Sequence, residues 1–570
     1  MDFMMQFGRS GKGNIQAGQN ILTSALLFTV IAFVVLVLPD HPYGFSLGAF
    51  LRLPLEIPVI ALALLVLPRR VGGIAAMIVT IAIGTLLFLK IADIGVQSAF
   101  QRRFNPYLDV KMLSDGWNLL SGSIGSVPAA LAVAAVIGGF LLLLWLCYWS
   151  QCQLVAADGP IARATAAAFG GLLIVGFVLW LFGQTLGLGR IADAGALPYL
   201  GHRLVLVEDS IADMSRFEKD IAAKPTLPSA DSLFGAVRGR DVVLIFVESY
   251  GRSAIEDPRY APLIRPRLDQ VEGQLDAAGY ASASGWSGSP TMGGLSWLAH
   301  GTFLSGLWID SQARYDRLMI SDQPSLNSLF REAGWRTAAV MPAITMDWPE
   351  AAYFGYDETF VAKDLGYKGK PFNWVTMPDQ YTLLAFDRLV RHSPKAQGKP
   401  VMAEIALISS HAPWTPVPKL IDWADVGDGT AFDDQAVSGD APRVVWADEE
   451  RVRTQYIETI DYSLQTLGDY MAHFGGNGVF IILGDHQPAP LVTGPDASRS
   501  VPVHIVSRDT ALIKRFQKEG FSLGMTPSQD APEPPMDTMR DRLIRVFAAQ
   551  GPRATGVGAA AEGTLAHPTE

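Results

Sequence analysis

The chain has 570 residues, 49% of them apolar, with 45 basic and 55 acidic residues, so 18% are charged, where a soluble globular protein carries about 25%. The first 200 residues hold only 19 of these charges, with a small basic excess, and the remaining 370 hold 81, with an acidic excess. This excludes one uniform soluble domain and a chain that spans a membrane throughout, and the acidic back portion has the wrong sign for a nucleic-acid partner. The two cysteines, Cys147 and Cys152, lie at the end of one apolar run. The back portion has none, so it holds no disulfide framework, thiolate metal site or cysteine nucleophile.

Five apolar stretches precede residue 190, at 21–38, 47–67, 71–91, 127–149 and 164–186. Crossing about 30 Å of hydrocarbon takes about 20 helical residues, and all five read as membrane spans. The second is the weakest, because Arg52, Pro54, Glu56 and Pro58 crowd its first half. Arg9 and Lys12 precede the first span, Arg69 and Arg70 follow the second, and Arg163 precedes the fifth; Arg102, Arg103 and Lys111 oppose them. The bias places the N-terminus inside and everything after 190 outside the cytoplasm. Glu56 reads as an interfacial residue rather than an intramembrane functional acid. The loop at 94–126, with Phe100, Phe104, Tyr107 and Trp117 among its charges, suits a helix lying on the membrane surface. The spans lack the repeats and ionisable pairs of a transporter.

Residues 191–240 form a connector with an amphipathic helix over 208–223, ended by Lys224, Pro225 and Pro228. From 241 the pattern alternates. Apolar runs at 242–247, 337–341, 401–409, 479–483 and 502–506 suit buried parallel strands, and helical stretches occur at 325–333, 381–391 and 451–473. That order predicts an α/β domain over 241–550 with a central, mostly parallel sheet. Residues 551–570, rich in Gly, Ala, Thr and Pro, read as a disordered tail.

In such a sheet, function gathers past the carboxyl ends of the strands. The first strand is followed by Glu248, the third by His411, and the fourth by Asp485 and His486. Singly, Glu248 serves as well for a helix cap and Asp485-His486 for an ordinary turn. Together at one sheet edge they suit a divalent cation with mixed O/N ligation. The stretch 285–307, GWSGSPTMGGLSWLAHGTFLSGL, puts Thr291 at a predicted helix N-terminus, where free N–H groups favour an anion such as phosphate. Ser287 and Ser289 remain competitors for its role. His300, His504 and Asp379 read as structural, the first two packed or hydrogen-bonded and the last a helix N-cap.

The segments DVVLIFVESYG, the hydroxyl-rich turn at 285–296, SSHAPW at 409–414 and ILGDHQ at 482–487 occur in the order seen in the sulfatase-like branch of the alkaline phosphatase superfamily. The chain most resembles its lipoteichoic acid synthases and phosphoglycerol transferases, with lipid A phosphoethanolamine transferases close by. The resemblance implies five N-terminal spans and an extracytoplasmic sulfatase-like catalytic domain in a bacterial cytoplasmic membrane. It implies Glu248, Asp485, His486 and Thr291 as ligands of one divalent ion, Mn or Zn before Mg. It also implies Thr291 as nucleophile, His411 as the histidine contacting substrate phosphate, and Trp348, by a looser match, as part of the headgroup site. The expected reaction moves a phospholipid headgroup through a phospho-threonine onto an envelope glycan or lipid acceptor. A phosphodiesterase or sulfatase-like hydrolase is the alternative, and a non-catalytic envelope scaffold the second. The chain departs from formylglycine sulfatases, having Ser289-Pro290-Thr291-Met292 in place of C/S-x-P-x-R. It also lacks the cysteines of the disulfide-rich phosphoethanolamine transferases.

Overall fold

The computed structural model describes residues 2–549 apart from 110–115, 118–119, 122–123, 183–184, 186–190 and 224–231, and describes only the backbone of 2–18. The expected tail at 551–570, the breakers at 224–228 and part of the 94–126 loop lie outside the described residues. Among the described residues four helices are long and apolar enough to cross a membrane: α1 (Asp2–Val37), through Gln19–Val37, α3 (Arg69–Phe100), α4 (Ser126–Val155) and α5 (Gly159–Phe182). The expected second span is a correction. Its helix, α2 (Glu56–Val66), has 11 residues, about 16 Å of rise. Arg52 and Pro54 lead instead into a two-residue strand, β1 (Leu53–Pro54), paired with β2 (Ala192–Asp193).

Short as it is, α2 still carries the chain back along the bundle. Glu56, at its start, accepts a hydrogen bond from the Ala196 N–H at 2.9 Å, beside the outer domain. At its far end Arg69 pairs with Asp158 at 3.1 Å. The last carbonyls of α1 meet Lys90, near the end of α3. α1 and α3 therefore point toward the outer domain, and the start of α1 lies at the opposite end of the bundle. The connector helix α6 (Ala196–Ala222) begins twelve residues before the expected 208, with Pro198 tolerated in its first turn.

The outer domain is built on an eight-stranded sheet of order β10-β4-β9-β8-β3-β7-β5-β6. Its strands are β3 (Val242–Val247), β4 (Ala281–Gly288), β5 (Arg336–Met341), β6 (Glu358–Val361), β7 (Val401–Leu407), β8 (Val479–Gly484), β9 (Ser500–Ser507) and β10 (Ser522–Leu523). β8, β3, β7, β5 and β6 run parallel, while β9 is antiparallel to β8, β4 to β9 and β10 to β4. Six of the eight strands therefore share one direction, with β9 and β10 running against them. The run at 502–506, expected to be parallel, is antiparallel, because burial on both faces makes a strand apolar whatever its direction. Alternate β3 residues feed two cores. Val243, Ile245 and Val247 face one layer with α7 (Ala261–Ala277) and α10 (Glu449–Phe474), and Val242, Leu244 and Phe246 face the other with α8 (Ser296–Ser305).

Candidate metal centre and active site

Three parallel strands end in register. Val247 pairs with Leu407 on one side and Gly484 on the other, so Glu248, Ser409–His411 and Asp485–His486 leave the sheet at one edge. β4, two antiparallel steps from β8, shares its direction and delivers Ser289–Thr291 to the same edge. Gly484 is required there, since a Cβ would lie 1.8 Å from the Tyr250 carbonyl oxygen.

Glu248, Asp485 and His486 are buried and offer ligand atoms that all lie within 4.8 Å of one another. Asp485 Oδ1 accepts from the N–H groups of Ser249 (2.8 Å) and His486 (2.7 Å), leaving Oδ2 toward His486 Nε2 at 3.8 Å. His486 Nδ1 faces the Gln487 carbonyl at 2.8 Å and must donate to it, so Nε2, 3.3 Å from Glu248 Oε1, is the nitrogen that offers a lone pair when the ring is neutral. Burial acts to raise the Glu248 carboxyl, but the charges of His486 and then His411 outweigh it and hold it below its ordinary range. Burial and then the Glu248 carboxylate push Asp485 up to about 6. Burial acts to lower His486, and Asp485 and Glu248 outweigh it, carrying the imidazole up to about 9. The cluster has more negative charge than its protein surroundings neutralise, the setting for a bound cation.

Thr291 is pinned on both sides to the 485–487 segment. Ser289 Oγ donates to the Asp485 carbonyl at 2.6 Å, and the Gly293 N–H to the Gln487 carbonyl at 2.8 Å. The threonine is 4% exposed and its Oγ1 is buried without a hydrogen-bond partner. A buried hydroxyl without a partner costs about 1–3 kcal/mol. Two carboxylates and an imidazole Nε2 fit a divalent cation with mixed O/N ligation. Thr291 does not stand at a helix N-terminus as expected. Gly293, Gly294 and Leu295 have φ values of +74°, +146° and +64°, which delays the helix to Ser296 and leaves the threonine in the preceding loop.

His411 is exposed beside this cluster, its Nδ1 donating to the Ala412 carbonyl at 2.5 Å. Its neighbour Ser410 donates to the Glu248 carbonyl at 2.6 Å. Trp348 stands apart, half-buried, its ring contacts being Phe354 and Tyr356 at 6.1 and 5.8 Å. Asp379 is not the expected N-cap, since Pro378 holds that place in α9 (Asp379–Phe386). Its buried carboxylate instead accepts from Ile408 N and Ser409 N, both at 2.9 Å, and from Ser463 Oγ at 2.6 Å, fixing the end of β7. His300 stacks on Phe246 at 3.8 Å and meets Glu404 at 2.7 Å. His504 is buried between Ser284 Oγ and Tyr250 Oη.

Sequence reasoning passed over Ser296, whose hydroxyl lies 2.9 Å from Glu248 Oε2 and 3.2 Å from His486 Nε2. Its signal was a hydroxyl opening the helix just after the Gly293-Gly294 pair. It also passed over Arg499, which donates to the Pro290 carbonyl at 3.0 Å, and Arg102; the two line a small pocket with Thr291. Arg102 follows α3, so nothing local joins it to the site.

No family model matches the sequence, and no curated protein matches it. Solved structures do. The chain is similar to the lipoteichoic acid synthase LtaP from Listeria monocytogenes, at 16% identity and TM-score 0.34, over 50% of this chain and 69% of that one. It is similar to the integral membrane lipooligosaccharide phosphoethanolamine transferase A (EptA) from Neisseria meningitidis, at 13% identity and TM-score 0.43, over 93% and 95%. It is also similar to the phosphoglycerol transferase GacH from Streptococcus pyogenes, at 12% identity and TM-score 0.35, over 60% and 91%. These are the kinds of protein that its motifs resemble.

Proposed function

We propose that the chain is a membrane-anchored, metal-dependent transferase that moves a phosphorylated headgroup from a phospholipid to an envelope glycan or lipid acceptor. The observation that carries this reading is the buried Thr291 hydroxyl, without a partner, in a loop whose Ser289 and Gly293 bond to the 485–487 segment of the Glu248–Asp485–His486 cluster. A divalent ion, Mn or Zn before Mg, would be held by Glu248, Thr291, Asp485 and His486, and when bound it supplies charge neutralisation at the transferring phosphoryl group and a lowered threonine pKa.

In the first step Thr291 Oγ1 attacks the phosphodiester phosphorus, the phosphorus–oxygen bond to diacylglycerol breaks, and a phospho-threonine ester remains. The threonine proton passes to solvent water, and the departing diacylglycerol oxygen takes one from His411 Nε2, since His411 Nδ1 is committed to Ala412. In the second step the acceptor hydroxyl attacks the same phosphorus and gives its proton to His411 Nε2, the bond from phosphorus to Thr291 Oγ1 breaks, and the threonine oxygen takes a proton back from water. Ser289 and Gly293 hold the threonine backbone still through both steps. Trp348 is the candidate headgroup contact. The α/β domain over 241–550 would lie outside the cytoplasm, where the acceptor is, and the bundle would sit in a bacterial cytoplasmic membrane beside its lipid donor.

The test is incubation of purified protein with headgroup-labelled phosphatidylethanolamine or phosphatidylglycerol. Diacylglycerol release with a labelled Thr291 adduct is expected, and neither with Thr291→Ala. Undiminished release by Thr291→Ala would overturn the assignment. Release of free headgroup phosphate with every acceptor offered would favour the hydrolase reading.

A further inference from the structure

A cavity of 580 Å³ opens between the end of α1, the start of α2, α3 and the connector helix α6. That is the size range of a small-molecule site. Its lining is charged with both signs: Arg52, Lys90 and Arg103 against Asp40, Glu56 and Asp193. Lys90 is already spent, donating to the carbonyls of Val35, Leu36 and Leu38 at 3.0, 2.8 and 2.7 Å, which satisfies the end of α1. The others are not. Among the described residues the side chains of Arg52, Arg103 and Asp40 have no hydrogen-bond or ion-pair partner, and Glu56 Oε2 is buried without one while Oε1 is held by Ala196.

Two further observations say what such a site faces. The segment that forms the cavity's lip, 41–52, turns apolar side chains outward: Phe45 and Leu51 are 51% and 67% exposed, and Leu47 80%. Apolar residues at this level, between spanning helices, belong in the headgroup region of a bilayer. The cavity is also next to the catalytic pocket along the chain. Arg103 lines the cavity while its neighbour Arg102 lines the pocket that holds Thr291.

We infer that this cavity binds the headgroup of a zwitterionic phospholipid, with its phosphate against Arg52 and Arg103 and its ammonium against Asp40, Glu56 and Asp193. The site is separate from the Thr291 pocket. A free anion would not call for the three carboxylates, and a purely anionic headgroup would meet them as repulsion. The inference rests on the membrane placement of the apolar helices and not on the Thr291 reaction.

The experiment uses the full-length, delipidated protein in detergent. It is titrated with short-chain phosphatidylethanolamine, short-chain phosphatidylglycerol and inorganic phosphate, and bound lipid is counted by native mass spectrometry. Phosphatidylethanolamine binding is expected to weaken at least tenfold in the double variant Arg52→Ala/Arg103→Ala and at least threefold in Asp40→Asn/Asp193→Asn. The latter variant should leave phosphatidylglycerol binding unweakened. Wild-type affinity in a folded Arg52→Ala/Arg103→Ala protein would overturn the inference, as would displacement of the lipid by equimolar inorganic phosphate. Should that variant not fold, the wild type decides: phosphatidylethanolamine with a diazirine beside its phosphate should label the 38–56 or 193–202 segments. Labelling confined to the 285–296 segment would overturn it. This site is read by lipid binding and by labelling of 38–56 or 193–202, and the proposed reaction by diacylglycerol release and the Thr291 adduct, so the two fail separately.

Discussion

Among the membrane helices, the buried charges are spent on structure. Lys90 closes the end of α1 through three carbonyls, and Asp93 accepts from Phe104 N at 3.0 Å and from Tyr199 Oη at 2.6 Å while pairing with Arg203. At the strand ends of the outer domain the balance is different. Glu248, Asp485 and His486 crowd together with excess negative charge, and Thr291 Oγ1, in the loop bonded to the 485–487 segment, is buried without a partner. Burial alone therefore does not mark function in this molecule. What marks it is burial that the protein's own groups leave uncompensated.

The largest expected effect falls on the uncompensated side. Thr291→Ala should lower diacylglycerol release by on the order of 10³-fold or more, measured with labelled lipid, while Thr291→Ser retains part of it. Equal activity in all three proteins would erase the contrast. Glu248→Gln or Asp485→Asn should lower divalent-metal affinity by on the order of 100-fold or more, read as metal content after dialysis. Changing the tautomer-fixing surroundings of a ligand costs about 10–100-fold, and removing a ligand charge should cost no less. Stoichiometric metal in both variants would place the ion elsewhere.

The next tests bear on how the two regions meet. Gly293 has a φ of +74°, and a Cβ there would lie 1.9 Å from the Ala99 carbonyl oxygen at the end of α3. Gly293→Ala should cost about 2–3 kcal/mol and loosen α3 from the outer domain, seen as a lower unfolding temperature and faster proteolysis near residue 101. An unchanged melting curve would mean that the contact carries no load. Smallest is Lys90→Met, which frees three carbonyls and should cost about 1–2 kcal/mol in detergent while leaving turnover within about threefold. A loss of activity as deep as that of Thr291→Ala would show that the membrane charges are not merely structural.

Much of the site was legible because its residues sit immediately after apolar strand-like runs. Glu248 follows 242–247 and Asp485-His486 follow 479–483, so reading the strands located the buried cluster. Thr291 was legible as a hydroxyl in a glycine-rich turn, but its backbone was misread, because three consecutive positive φ values depend on α3 and the 485–487 segment pressing from either side. Asp379 was misassigned for a related reason. A carboxylate at the start of a helix looks like a cap, and only the end of β7 packed above it supplies the two N–H groups that it accepts from.

The sequence by itself determined the division into an apolar, charge-poor front and an acidic, cysteine-free back, the presence of long apolar helices, and the order of the ligand-bearing segments. These follow from composition and from periodicities of a few residues. Strand direction at the β9 edge, the shortness of α2, and the approach of Ala99, Phe100 and Arg102 to the Thr291 loop were decided only by the tertiary structure. Each depends on which surfaces meet across hundreds of residues, and neither side of such a contact carries a local mark of the other.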